Sequence, residues 1–290
     1  VARGLSLAEF SRDIKLSHSV FALPFALSTF VIAGLDAPKW WQVIAIVLAM
    51  VSARSFAMGS NRLLDSDIDR ENTRTANRSI PSGRLPKGHA IFWTLVFAMI
   101  FIVVSFWLNP VAGVCSIPVL VIIGSYPFWK KISWLTHWYL GMCLGLSPIA
   151  VEVAIASSIS MVTVLLGCAV MFWTAGFDVL YALQDQDYDR SVGLHSVPAK
   201  FGVRGALYIS RISFLLMMVF VLLIGVISHY NHWYFSGMAA IAVVLLLEHY
   251  LINDSREGAI SPRLNLVFFN LNASISIVYL LSVLTQLWSV

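Results

Sequence analysis

The stretch His89-Ala-Ile-Phe-Trp-Thr-Leu-Val-Phe-Ala-Met-Ile-Phe-Ile-Val-Val-Ser-Phe-Trp-Leu108 carries no Asp, Glu, Lys or Arg. A helix rises about 1.5 Å per residue, so these residues reach across the roughly 30 Å hydrocarbon core of a bilayer. Eight further segments are long and mostly apolar, each with at most one charged residue: 17–35, 40–60, 110–128, 136–155, 159–182, 205–228, 232–252 and 264–288. Asn109-Pro110, Ser157-Ser158 and the run from Ser228 to His232 supply tight turns between neighbouring spans. The chain as a whole is 59% hydrophobic and 12% charged, against roughly 25% charged for a soluble domain. The expected fold is therefore all-α. One polytopic membrane domain over 1–290 is expected, with nine transmembrane helices in a single bundle.

Arg3, Arg12 and Lys15 precede the first apolar run, as in a signal peptide, but Glu9 and Asp13 interrupt the pattern and a second span follows at once. An uncleaved first helix behind a short amphipathic segment is expected. Cys115, Cys143 and Cys168 lie in apolar stretches at no metal-ligand spacing, and read as small buried residues without a disulfide. With nine spans, every one of the 19 Lys and Arg residues except Lys39 falls on the side of the N-terminus or in a helix end near it. The positive-inside rule then puts the N-terminus in the cytoplasm and the C-terminus outside, in the inner (cytoplasmic) membrane. The two long loops, 61–88 and 183–204, share the cytoplasmic side, so chemistry is expected there.

Seven of the 15 acidic residues lie at 65, 67, 69, 71, 185, 187 and 189. Two spans precede each cluster, and each cluster opens a loop rich in Arg, Ser and Gly. In the first, Asn61, Asp65 and Asp69 recur every four residues, drifting only about 40° each around an ideal helix. Asp67 points away. Arg54, seven residues before Asn61, lies deeper in the span on the same stripe, where a buried guanidinium needs a partner or an anionic ligand. The loop behind it, from Arg70 through Arg74 and Arg78 to Gly83-Arg84, has the composition of a phosphate clamp as well as of a topology signal. In the second cluster Asp178, Tyr181, Asp185 and Asp189 share one face at spacings of three, four and four. Asp178 is the deep member. It could pair with Arg54 or join it in orienting a polar head group. His195 lies in the following loop, and Lys130 and Lys131 end the fourth span. Oxygen ligands in this pattern suit a hard cation such as Mg2+, and the basic residues around them suit a diphosphate.

Asn61-x3-Asp65-x3-Asp69 followed by Arg74-Thr-Ala-Asn-Arg78-x-x-Pro-Ser-Gly83 resembles the first motif of the UbiA-type intramembrane prenyltransferases. Asp178-x-x-Tyr181-Ala-x-x-Asp185-x-Asp187-x-Asp189 resembles the second, and Tyr126-x3-Lys130-Lys131 the basic motif between them. The resemblance covers nearly the whole chain. It implies a bundle with a central cavity open to the cytoplasmic side. It also implies two Mg2+ ions held by Asn61, Asp65, Asp69, Asp185 and Asp189, and diphosphate contacts from Lys130 or Lys131, Arg62, Arg74, Arg78 and Tyr181. Transfer of a polyprenyl group from polyprenyl diphosphate to a small aromatic acid follows, by ionisation of the diphosphate and attack of the ring. A 4-hydroxybenzoate-like acceptor in quinone biosynthesis is expected first, and a dihydroxynaphthoate on a menaquinone route second, because Gly193-Leu-His195-Ser departs from the pattern of the former branch. Arg54 is the expected anchor for the acceptor's carboxylate. Asp178, Tyr181, His18 and His195 are further acceptor candidates. Neither nucleic acid nor an obligatory protein partner is implied. A secondary transporter is the non-enzyme alternative, and its best support is Glu152 and Glu248, each alone in another span.

Overall fold

A computed structural model describes residues 6–14, 22–33, 39–254 and 262–288. Among these residues the secondary structure is helical, with no strand. In chain order the helices are α1 (Leu7–Asp13), α2 (Leu23–Ile32), α3 (Trp40–Leu64), α4 (Ser66–Glu71), α5 (Lys87–Leu108), α6 (Pro110–Trp129), α7 (Thr136–Ala156), α8 (Met161–Tyr181), α9 (Gln186–Ser191), α10 (Val197–Ile227), α11 (His232–Asp254) and α12 (Pro262–Leu284). Eight candidate spans, carried by α3, α5, α6, α7, α8, α10, α11 and α12, are long and apolar enough to cross a membrane. The described part of the expected first span is α2, a shorter apolar helix of ten residues. The rest of 17–35, His18 included, lies outside the described residues. The described residues thus give eight spans and α2, rather than nine full spans.

Lipid explains the outer surfaces. Along α5, Leu95, Met99, Val103 and Trp107 are each more than half exposed and follow one another every four residues, a single helical stripe. The opposite side of α5 buries Ala90, Thr94, Ala98, Phe101 and Ser105. Such an apolar stripe matches hydrocarbon and would be a liability in water. Some buried hydroxyls bond within their own helices: Thr94 Oγ1 donates to the Ala90 carbonyl at 2.7 Å and Ser28 Oγ to that of Pro24 at 2.8 Å. In a membrane no water would satisfy them.

The described helices group into two units. In the first, α3 packs on α5 and α6, α5 packs on α6, and α1 lies against α5. Phe10 of α1 is fully buried and stacks on Phe97 of α5 with ring centroids 5.9 Å apart. It joins Ile14, Ile80, Leu85 and Ala90 in one apolar cluster, so the amphipathic segment expected before the first span plugs the loop end of this unit.

In the second unit α8 is central, packed between α7 and α10, with α11 on α12 and α2 against both α7 and α12. The α7–α8 crossing is close because both helices carry glycine there. A Cβ on Gly145 would lie 2.4 Å from the Gly167 carbonyl oxygen, and small residues at such a crossing let two backbones meet. Trp173 is fully buried beside Phe25 and donates from Nε1 to Asn272 Oδ1 at 2.9 Å. Asn272 Nδ2 in turn donates to Glu248 Oε1 at 3.1 Å. Glu152 accepts from both the backbone N–H and the hydroxyl of Ser160, at 3.0 and 3.1 Å, in the turn that joins α7 to α8. Both glutamates that supported a transporter therefore have structural hydrogen-bond partners.

One boundary differs from expectation. The span expected to begin at 205 belongs to a helix that begins at Val197. Ser196 caps it by accepting the Ala199 N–H, Pro198 fills its first turn, and Gly202, at φ +71°, kinks it. A left-handed φ of this kind is open to glycine at little cost, and the apolar stretch read from the sequence is the part after the kink.

Candidate active site

The first acidic stretch is not one straight helix. α3 stops at Leu64, Asp65 caps it, and α4 starts at Ser66. The four-residue register survives the break, because the Asp65 N–H bonds the Asn61 carbonyl at 3.0 Å and the Asp69 N–H bonds that of Asp65 at 2.7 Å. Asp65 and Asp69 are accordingly buried, at 3% and 5% exposure, whereas the Asp67 side chain is 79% exposed and meets Lys87 at 3.4 Å. Asn61 Nδ2 donates to Asp65 Oδ2 at 3.0 Å. Arg78 Nη1 donates to both oxygens of Asp69 at 2.7 Å. The basic loop is held in place: Thr75 Oγ1 donates to the Asp69 carbonyl and the Ser79 N–H to Asp13 Oδ1. Arg62 is buried, and its Nε bonds the Asp13 carbonyl at 3.3 Å while its Nη1 reaches Asn61 Oδ1 at 3.4 Å. Arg74 is exposed. Arg54 is half-buried and its Nε has no hydrogen-bond partner.

The second acidic stretch repeats this plan in its own unit. α8 ends at Tyr181, a 3-10 turn covers Ala182–Asp185, and the six-residue α9 carries Asp187, Asp189 and Arg190, as the six-residue α4 carries Asp67, Asp69 and Arg70. The 3-10 turn breaks the single straight face expected from Asp178 to Asp189. Asp187 is exposed, while Asp185 and Asp189 are half-buried. Asp189 Oδ2 accepts the Ser196 hydroxyl at 2.8 Å. Tyr181 packs edge-on against Phe269 with centroids 5.9 Å apart. Lys130 is half-buried and its carbonyl accepts the His195 N–H at 2.7 Å, whereas Lys131 and the His195 side chain are exposed.

Asp178, which could pair with Arg54 or join it in orienting a head group, has a partner within its own unit. Its Oδ2 lies 2.7 Å from Nδ1 of His137, a residue that is 2% exposed and whose Nε2 accepts the Val197 N–H at 3.2 Å. Nothing in the local spacing announces this, since His137 stands 41 residues from one partner and 60 from the other. The available signal is a histidine in the first turn of a span.

Among the described residues, no three or more His, Cys, Asp or Glu side chains are gathered as a ready-made metal site. The oxygen donors come instead as small sets: Asn61 with Asp65, Asp69 with its arginine, and Asp189 with its serine.

Long apolar helices that twice end in recessed carboxylates, with arginine or lysine close by in sequence, define a multi-pass membrane protein with polar sites at its helix ends. The profile of the UbiA prenyltransferase family matches residues 22–273, and the chain belongs to that family. It is thus a transferase of prenyl groups. The 4-hydroxybenzoate octaprenyltransferase of Burkholderia ambifaria is 29% identical over 231 residues, which cover 80% of this chain and 79% of that protein. The apo structure of a UbiA homolog from Aeropyrum pernix K1 matches at a TM-score of 0.82 and 28% identity, covering 93% of this chain and 98% of that one. A UbiA homolog from Archaeoglobus fulgidus bound to GPP and Mg2+ shares the fold at a TM-score of 0.74 and 18% identity, covering 96% and 99%.

Proposed function

We propose that this protein transfers a polyprenyl group from polyprenyl diphosphate to a ring carbon of an aromatic carboxylic acid, 4-hydroxybenzoate first, in quinone biosynthesis. The observation that carries it is the twice-repeated pair of recessed carboxylates four residues apart, Asp65 with Asp69 and Asp185 with Asp189, each followed by a basic loop. The name of the Burkholderia relative supports the acceptor, and the GPP and Mg2+ of the Archaeoglobus homolog support the donor and the metal.

The donor set fits Mg2+, because every candidate ligand is an oxygen. A site with few protein carboxylates suits an ion that usually keeps several waters and is completed by substrate phosphates. Asn61, Asp65, Asp69, Asp185 and Asp189 would hold two such ions. Bound there, the metal would supply positive charge to offset that of the departing diphosphate. Arg74, Arg78 and Lys130 donate to diphosphate oxygens, Lys130 in preference to the exposed Lys131. Arg62, spent on Asp13 and Asn61, fixes Asn61 rather than reaching substrate. Arg54, with an unpartnered Nε inside a span, takes the acceptor's carboxylate. Asp178 is committed to His137 and acts as a support. In the reaction the allylic C–O bond breaks with its electron pair leaving on diphosphate. The ring carbon bonds the allylic carbon, and the ring loses one proton. The whole chain works as one domain, with the N-terminus and both acidic stretches on the cytoplasmic side of the inner membrane and the C-terminus outside.

A panel of phenolic and naphthoic acids offered with radiolabelled prenyl diphosphate tests this. Label is expected in the 4-hydroxybenzoate product. Label in dihydroxynaphthoates alone would move the protein to the second acceptor class favoured by Gly193-Leu-His195-Ser. No transfer to any acceptor, with solute movement across proteoliposomes instead, would leave a transporter.

A further inference from the structure

We propose that His137 is a positioning residue for this reaction, setting Asp189 through the first residues of α10. The inference rests on the reading that Asp189 helps to hold Mg2+.

Both ring nitrogens of His137 are used. A backbone amide can only donate, so the Val197 N–H requires a lone pair on Nε2, and the ring proton then sits on Nδ1 and is donated to Asp178. The hydrogen bonds select one neutral tautomer, held by a carboxylate in the way that orienting carboxylates hold a ring elsewhere.

The far end of this link is a helix start, where the first N–H groups lack intrahelical partners. Val197, the first residue of α10, meets that need through His137, and the two residues before it are tied outward as well. The His195 N–H goes to the Lys130 carbonyl, the Ser196 hydroxyl to Asp189 Oδ2, and the Val197 N–H to His137. Ser196 also accepts the Ala199 N–H at 3.3 Å, so its one proton and one of its lone pairs are committed. A shift of Val197 therefore carries Ser196 with it and re-aims the Asp189 oxygen. Apolar packing stiffens the link: Val179, Val197 and Ala206 are buried together, with Trp134 and Trp138 against them. Lys200 lies over the Trp134 ring at 4.9 Å. His137 thus joins Asp178 to the same three residues that touch Lys130 and Asp189.

The test is the Mg2+ dependence of prenyl transfer by purified full-length protein in lipid nanodiscs. His137→Asn keeps a donor for Asp178 and leaves the Val197 N–H without its acceptor. His137→Gln keeps an acceptor near the Nε2 position. Outer-shell partners of metal ligands typically change metal affinity by about 10-fold to 100-fold. The Asn variant is expected to raise the half-saturating Mg2+ concentration about tenfold, with most of the lost rate recovered at high Mg2+. The Gln variant should be affected less. A folded Asn variant that melts earlier but keeps the wild-type Mg2+ dependence would overturn the inference, since packing alone would then explain His137. If the Asn variant does not fold, Ser196→Ala removes the same link and should show the same shift; a wild-type Mg2+ dependence in it is equally fatal. Asp189→Asn separates the two ideas. A raised Mg2+ requirement there with none in the His137 and Ser196 variants sinks the positioning role alone. An unchanged requirement in Asp189→Asn removes the metal reading itself, and the inference with it.

Discussion

Replacing Arg78 by Ala should move the two ligands of the first acidic stretch in opposite directions. Arg78 Nη1 donates to both oxygens of Asp69 at 2.7 Å, with side chains 25% and 6% exposed. Hydrogen bonds to a charged group contribute about 1.5–3 kcal/mol, and the partial exposure of Arg78 places this pair near the lower end. About 1.4 kcal/mol is tenfold in an equilibrium constant. A cation that approaches Asp69 without diphosphate has to displace Arg78 or share the carboxylate with it. Arg78→Ala removes that competitor and one nearby positive charge, so Mn2+ or Mg2+ alone should bind roughly tenfold tighter. With prenyl diphosphate present the same substitution deletes a donor to phosphate, and KM should rise by a similar factor. Mn2+ binding followed by electron paramagnetic resonance without diphosphate, beside KM for prenyl diphosphate, reads both effects. Metal affinity that is unchanged or weaker in the variant would mean that Asp69 is not contested by Arg78 and a metal.

Three other outcomes follow from particular contacts. Gly145→Val places a Cβ 2.4 Å from the Gly167 carbonyl oxygen, so α7 and α8 must separate; overpacking of this kind costs about 1–3 kcal/mol, and a wild-type thermal melt in detergent would count against the crossing. Glu152→Ala leaves the Ser160 N–H without its acceptor, a loss of about 1–3 kcal/mol, while the Ser160 hydroxyl keeps Thr163 Oγ1 at 3.0 Å. Prenyl transfer per folded molecule should persist in that variant, and its abolition would return Glu152 to the chemistry. His137→Asn should raise the half-saturating Mg2+ concentration about tenfold, and an unchanged Mg2+ dependence in a folded variant would leave His137 a packing residue.

The spans were legible because hydrocarbon imposes a length and a composition together, and α5 shows both over nearly the bounds read from the sequence. The separation of Asp67 from Asp65 and Asp69, and of Asp187 from Asp185 and Asp189, was legible from helical phase alone, since one exposed turn facing water and one recessed face need no tertiary information. The breaks at Asp65 and over Ala182–Asp185 were not, because a single cap residue or a 3-10 turn hardly alters the spacing of polar residues. The start of α10 was readable in principle: Ser196 and Pro198 are an N-cap and a first-turn proline, but the apolar run begins later and drew the boundary to 205. The partners of Asp178 and Asp69 were hidden for another reason. His137 and Arg78 reach them through tertiary folding, and no periodicity links residues 41 or nine apart across a turn or loop.

Whether the acidic stretches hold a metal for the diphosphate is decided by prenyl transfer of the purified protein, with and without chelator and with Asp65→Ala. Transfer of radiolabelled prenyl groups to an aromatic acid should be lost on adding EDTA and regained on adding excess Mg2+. It should fall by roughly 10²–10³ in Asp65→Ala, the scale of losing one main electrostatic contact in a transition state. Transfer that survives both chelator and substitution would contradict the assignment of the acidic stretches to a metal-held diphosphate.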